Sequence, residues 1–118
     1  MNADEMKKRT RAFALRTIRL VEALPQTRTA EVIGKQLLRC GTSVGANYRA
    51  ACRARSQADF ISKMGIVEEE ADETIYWMGL LIEAGLMEKE RVANLLDEAS
   101  QIVAMVVSSI KTARGNKS

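Results

Sequence analysis

Residues 39–50, RCGTSVGANYRA, decide how the rest of the chain is interpreted, because their two glycines could belong either to a loop or to a helix. A phosphate-binding loop needs a strand before it and a lysine after its last glycine, and neither is present here. Apolar residues instead recur at three- and four-residue steps on both sides of the glycines. The stretch is therefore predicted to lie in the middle of an α-helix.

The helix around this stretch is predicted to span residues 30–54. Pro25 would end the preceding helix, and Thr27 or Thr29 would act as the N-cap. The residues expected to face the core are Ile33, Leu37, Cys40, Val44 and Ala51, with Asn47 and Tyr48 at the edges of that stripe.

Three further helices are predicted from the same periodicity, over residues 4–24, 57–84 and 88–113. The connections between them are short, so successive helices are expected to be antiparallel neighbours. Residues 1–118 are therefore predicted to form a single all-α domain, an up-down antiparallel four-helix bundle.

The third helix has a recognisable signal at each end. Ser56, followed by Asp59, resembles a capping box, and Gly85 is suited to a left-handed C-cap. The residues of this helix expected to face inward are Phe60, Met64, Val67, Ala71, Ile75, Met78 and Ile82.

The composition argues against several classes of protein. The chain has 118 residues, no histidine and a single proline. No apolar run is long enough to cross a membrane and the N-terminus lacks a signal-peptide core, so a cytoplasmic protein without a membrane partner is expected. Without a histidine base or an activated cysteine the chain is not expected to be an enzyme, and no catalytic residue, metal or cofactor is predicted.

Three glycines form a stripe on the second helix. At about 100° per residue, Gly34, Gly41 and Gly45 fall within roughly 40° of one another, beside the core-facing residues. A glycine costs up to about 1 kcal/mol in a helix interior, so three on one line favour close approach of another helix over a chance distribution. The sequence leaves open whether that helix belongs to the same chain or to another subunit.

A ridge of cations lies next to the glycine stripe, within an arc of roughly 80° on the same helix. Its members are Arg28, Lys35, Arg39, Arg49 and Arg53. Cations of the first helix could widen it: Lys7, Lys8, Arg9, Arg11, Arg16 and Arg19. The ridge is either a solvated helix face or a surface that meets a polyanion such as nucleic acid, and its single sign and length leave both interpretations open.

The opposite charge lies in the second half of the chain. Residues 1–56 hold 12 Lys/Arg against 4 Asp/Glu, a net of +8, whereas residues 57–118 hold 6 against 11, a net of −5, which together give +3. The acidic run 68–73 could form ion pairs with arginines, and Glu70 could be a partner for Arg39. A di-metal centre would need Glu-x-x-His motifs, which a chain without histidine lacks.

Three apolar residues of the third helix, Ile66, Trp77 and Leu80, lie off its core-facing stripe. They are expected either to form a protein interface, such as a contact between subunits, or to be partly buried under a loop.

The segments RCGTSVGANYRAA and ADETIYW lie within residues 37–86, a range that resembles the four-helix bundle family of proteins encoded in 23S rRNA intervening sequences. The chain is also distantly similar to the accessory protein of diversity-generating retroelements. The residues that carry these patterns are Arg39, Ser43, Asn47, Arg49, Glu70, Glu73 and Trp77.

The resemblance implies an up-down bundle that assembles into a homopentameric ring without known enzymatic activity. It also implies, through the retroelement relatives, nucleic acid and a reverse transcriptase as partners. The leading hypothesis is a non-catalytic oligomer that binds RNA or DNA backbones through its first two helices. The alternative is a protein-binding scaffold or adaptor ring that makes no direct contact with nucleic acid.

Overall fold

The computed structural model describes residues 1–115, which form four α-helices and no strand. These helices are α1 (Ala3–Glu22), α2 (Arg28–Cys52), α3 (Gln57–Glu83) and α4 (Lys89–Ala113). The predicted all-α, four-helix fold is confirmed. The last three residues of the predicted domain, 116–118, lie outside the described range.

The turn between α1 and α2 lies two residues earlier than the sequence suggests, because α1 ends at Glu22 and α2 begins at Arg28. The residue before a proline is driven out of the helical region, so Leu24 cannot continue α1 up to Pro25. Thr27, the first of the two candidate caps, caps α2, and its side chain accepts a hydrogen bond from the Ala30 N–H at 3.2 Å. Both helices are therefore shifted by one or two residues towards the N-terminus.

The other helix ends show ordinary capping chemistry. Asn2 and Glu5 form a capping box at the start of α1, in which the Asn2 side chain accepts from the Glu5 N–H at 2.8 Å. Ser56 caps α3 by accepting from the Asp59 N–H at 3.0 Å. Gly85 follows α3 with φ at +72°, which only glycine adopts without strain.

The helices pack in an antiparallel ring, with α2 contacting α1 and α3, and α4 contacting α3 and α1. Gly45 lies beside Thr10 and Gly34 beside Leu24, so α1 and α2 run in opposite directions. The bundle is about 47 Å long. The contact between α1 and α4 is the least extensive of the four, which leaves grooves along that seam.

The core differs from the predicted stripe mainly on α3. Thr74 and Leu81 are fully buried, whereas Ile75 and Ile82 pack at its margin. Thr74 tolerates burial because its hydroxyl donates to the Ala71 carbonyl at 2.6 Å. On α2, Tyr48 is buried rather than placed at the edge.

Candidate functional site

The seam between α1 and α2 is set by the predicted glycine stripe. A Cβ placed on Gly41 would lie 2.5 Å from Thr17 Cγ2, and one on Gly45 would lie 3.3 Å from Thr10 Oγ1. A Cβ on Gly34 would lie 3.1 Å from Leu24 Cδ1. The helix that approaches the glycines is therefore α1 of the same chain.

Two threonines on α1 form the other side of this seam. The Thr10 hydroxyl donates to the Met6 carbonyl at 3.0 Å, and the Thr17 hydroxyl donates to the Phe13 carbonyl at 2.9 Å. Both hydroxyls are satisfied within α1, so they need no partner on α2. The two helix backbones can then approach closely at these levels.

A groove of about 380 Å³ lies on the outer side of this seam and is called here the α1–α2 groove. Its floor consists of small residues from both helices: Thr10, Ala14, Thr42, Gly45 and Ala46. Its rim carries four cations: Lys7, Lys8, Arg11 and Arg49. Three of these four side chains come from α1, which places that helix at the centre of the positive surface.

The four rim cations are not neutralised by the protein itself. Within residues 1–115 the ion pairs are Arg9 with Glu98, Arg39 with Glu70 and Glu73, and Lys63 with Asp59. All four rim residues are exposed and none of them takes part in these pairs. The α1–α2 groove therefore presents four free positive charges to solvent, an arrangement that attracts anions.

The comparisons with known proteins place the chain in a family. A model of the 23S rRNA-intervening sequence protein family matches residues 3–108. The chain belongs to that family. The resemblance seen in residues 37–86 is thereby confirmed. No curated protein matches this chain.

A solved structure supports the fold of this 23S rRNA-intervening sequence protein. It is the crystal structure of a protein of unknown function from the S23 ribosomal protein family of Bacteroides thetaiotaomicron. The two chains are 38% identical, with a TM-score of 0.87, and the match covers 94% of this chain and 99% of the other.

The structure separates the residues of the predicted basic ridge. Arg39 turns towards α3, where Nη1 lies 2.9 Å from Glu70 Oε1 and Nη2 contacts Glu73. Arg49 turns the other way, into the α1–α2 groove. Lys35 lies at the far end of the same seam, in a cavity that also contains Glu22 and Glu31.

The other two ridge residues, Arg28 and Arg53, are exposed at the two ends of α2. The five cations share one arc, but its two edges face different neighbouring helices. The five residues therefore do not form one continuous surface.

Arg39 has a role inside the bundle. Desolvation acts to lower the pKa of its guanidinium, but the charges of Glu70 and Glu73 outweigh that effect and its pKa is raised. Glu73 also accepts a hydrogen bond from Trp77 Nε1 at 2.9 Å. Arg39, Glu73 and Trp77 thus connect α2 to α3, and Arg39 is less available to a ligand than Arg49.

The outer face of α3 carries the predicted interface residues. Ile66 is 43% exposed, Leu80 is half-buried, and Trp77 packs against the core from its margin. The more exposed aromatic is Tyr76, at 60%, whose ring meets Trp77 edge-on with centroids 5.0 Å apart. Tyr76 lies two residues from both Thr74 and Met78, which are fully buried, so it faces away from the core. It was not among the interface residues predicted from the sequence.

The described part of the chain is also informative about metal sites, reactive thiols and membrane-spanning helices. No group of three or more His, Cys, Asp or Glu residues within 1–115 is placed to hold a metal ion. Burial raises the pKa of the Cys40 thiol to about 12, so this thiol stays protonated near neutral pH. None of the described helices is long and apolar enough to cross a membrane.

Proposed function

We propose that this protein binds the phosphate backbone of RNA or DNA, without catalysis, through the α1–α2 groove. The observation that carries this proposal is the set of four free cations around one groove: Lys7, Lys8, Arg11 and Arg49. Lysine and arginine neutralise phosphates and release counterions, which drives sequence-independent binding. A cytoplasmic location is part of this proposal.

The groove is suited to backbone contact more than to reading bases. Its floor is made of small side chains and it contains no aromatic ring on which a base could stack. Contacts from lysine and arginine to phosphates position a nucleic acid but carry no sequence information. We therefore expect weak sequence preference and strong salt dependence.

We also propose that the protein assembles into a closed cyclic homo-oligomer, for which the family resemblance implies five subunits. The support is an outward face of α3 on which Ile66 and Tyr76 are exposed. Gly65, on the same helix, has no described atom within 4 Å of an added Cβ, so nothing within the described chain accounts for a glycine there. Cyclic assembly joins two different patches of the chain head to tail.

A scaffold function is the second candidate, and one observation favours it. Leu15 and Ile18 of α1 are 46% and 39% exposed among the cations of that helix. Apolar side chains gain nothing from a phosphate backbone but would pack against a protein. The acidic, partly apolar face of α3 in a neighbouring subunit, or another acidic protein, would fit that surface.

Binding of the full-length protein to duplex RNA, single-stranded RNA and duplex DNA at several salt concentrations tests the leading proposal. We expect binding to all three at low salt, with an affinity that falls linearly on a log–log plot against salt. Light scattering on the same samples gives the assembly mass. Absence of binding to any of the three at low salt, in a sample of intact oligomer mass, would favour the scaffold.

A further inference from the structure

A second basic groove of about 320 Å³ lies on the opposite flank of α1, between α1 and α4, and is called here the α1–α4 groove. Three arginines line it, Arg16 and Arg19 from α1 and Arg91 from α4, together with Asn94. Leu20 and Leu95 form the apolar part of its wall. This groove does not belong to the α1–α2 surface.

The arginines of this groove lack the partner that another arginine of the same seam has. Arg9 binds Glu98 through Nε at 2.6 Å and Nη2 at 2.9 Å. Among residues 1–115, no carboxylate forms an ion pair with Arg16, Arg19 or Arg91. Three like charges around one partly apolar groove repel one another, and a bound anion would remove that repulsion.

The position of Arg91 adds to this argument. Arg91 lies in the first turn of α4, where the helix dipole disfavours a cation and favours an anion. A bound anion would therefore be favoured by the three guanidinium groups, and it would offset the unfavourable position of Arg91 in this turn.

We propose that the α1–α4 groove binds a terminal phosphate group through Arg16, Arg19 and Arg91, and that the bound phosphate clamps α4 to α1. A guanidinium donates two parallel hydrogen bonds to phosphate oxygens, and a phosphate monoester carries three terminal oxygens and a charge near −2. Three arginines match that charge better than they match a single carboxylate. The Asn94 amide can supply a neutral donor.

The expected stabilisation by a bound phosphate follows from how α1 and α4 pack. The α1–α4 contact is the least extensive in the bundle. A ligand that binds only the folded chain across this seam raises the melting temperature according to its concentration and affinity. The proposal does not depend on the α1–α2 groove, since it concerns a different set of arginines.

Thermal unfolding of the full-length protein tests this site, with inorganic phosphate compared against sodium chloride at matched ionic strength. We expect a Tm rise of about 5 °C when phosphate is tenfold above its Kd. Arg91→Gln and Arg16→Gln should remove most of that rise. Lys89→Gln, which removes an exposed cation from the same turn of α4, should keep it, and it also controls for general salt effects on stability.

Two further pairs of ligands test which kind of molecule carries the phosphate group that binds here. Adenosine monophosphate is compared with adenosine, and a short oligonucleotide with a 5′-phosphate is compared with the same strand ending in a hydroxyl. A larger rise with the phosphorylated member of a pair supports the site and identifies a nucleotide or a strand end as the better ligand.

Three results would overturn the proposal. The first is a parent protein whose Tm does not respond to phosphate beyond the chloride control. The second is a Lys89→Gln variant that loses as much of the response as Arg91→Gln. The third is loss of the response in Arg11→Gln/Arg49→Gln, which would assign it to the α1–α2 groove. Retention of the response in that double variant supports the α1–α4 site even if nucleic-acid binding is lost.

Discussion

Gly41 of α2 packs so closely on Thr17 of α1 that a Cβ at position 41 would lie 2.5 Å from Thr17 Cγ2 and 2.8 Å from its Oγ1. Thr17 cannot turn away freely, because its hydroxyl donates to the Phe13 carbonyl. The same close approach holds Gly45 against Thr10, in the floor of the α1–α2 groove. The glycines therefore determine the spacing of the two helices that carry the groove.

Gly41→Ala is expected to destabilise the protein by about 1–3 kcal/mol, because the added methyl group overpacks the seam. Gly79→Ala is the matched control, since the one described atom within 4 Å of an added Cβ there is Glu83 Oε2 at 3.9 Å, an ordinary contact. That control should gain about 0.5–1 kcal/mol from helix propensity. Urea unfolding measures both changes.

Thr17→Ala should recover part of the stability lost in Gly41→Ala, because it removes two of the three nearest atoms. A Gly41→Ala variant as stable as the parent would show that the stripe is incidental to packing.

The stability of the protein is expected to fall above about pH 9 because of Cys40. Burial raises the pKa of its thiol from 9.0 to about 12. Below pH 9 the thiol is protonated in both states and has no pH-dependent effect. Between pH 9 and 12 the unfolded chain releases this proton and the folded chain does not, so the free energy of unfolding should fall by about 1.4 kcal/mol per pH unit.

Urea unfolding at several pH values between 8 and 11 measures this slope, and Cys40→Ala is the comparison. The variant loses some stability at every pH through the smaller side chain, but its curve should be flatter above pH 9. Equal slopes for parent and variant would show that the Cys40 thiol does not titrate as its burial requires.

Arg39 and Arg49 are expected to differ in their effect on nucleic-acid binding. Arg49→Gln removes a free cation from the α1–α2 groove and should lower the salt slope of log K by about 0.7–0.9. Arg39→Gln removes a cation already paired with Glu70 and Glu73, so it should leave that slope nearly unchanged and lower the melting temperature slightly. Filter binding at several salt concentrations compares them. A larger change in slope for Arg39→Gln would contradict the assignment.

The assembly should depend on the outer face of α3. Ile66→Glu and Tyr76→Glu each place a charge on an exposed apolar position and should reduce the mass measured by light scattering. Ser100→Glu, at an exposed position of α4, serves as the control and should keep the parent mass. A parent protein of monomer mass at micromolar concentration would rule out the ring.

Local signals in the sequence were sufficient to predict the four helices and most of their ends. Ser56 and Gly85 mark the ends of α3 because capping depends on residues within one turn of the chain. The suggested pair of Arg39 with Glu70 is present in the structure, with Arg39 half-exposed and Glu70 largely buried. Such pairs can be inferred when two helices are neighbours and the charges lie on facing edges.

The residues of the candidate site could not be predicted from a helical wheel, because a wheel does not show which neighbouring helix each side chain faces. The wheel placed Arg39 and Arg49 on one ridge, but the rotation of α2 between its two neighbours sends them to opposite seams. The contact of Gly41 with Thr17 shows that α1 of the same chain packs on the glycine stripe, which the sequence left open. Burial of Thr74 in place of Ile75 has a different cause, since a satisfied hydroxyl can take a core position that hydrophobicity assigns elsewhere.

The salt dependence of binding by a variant of the α1–α2 groove tests the central claim most directly. Lys7→Gln, Arg11→Gln and Arg49→Gln are combined and compared with Lys89→Gln/Lys111→Gln, which removes two exposed cations elsewhere. For duplex DNA, the groove variant should bind more weakly and its slope of log K against log salt should be shallower by about 2–3, while the control keeps the parent slope. A groove variant with the parent's melting temperature, assembly mass and salt slope would contradict the account.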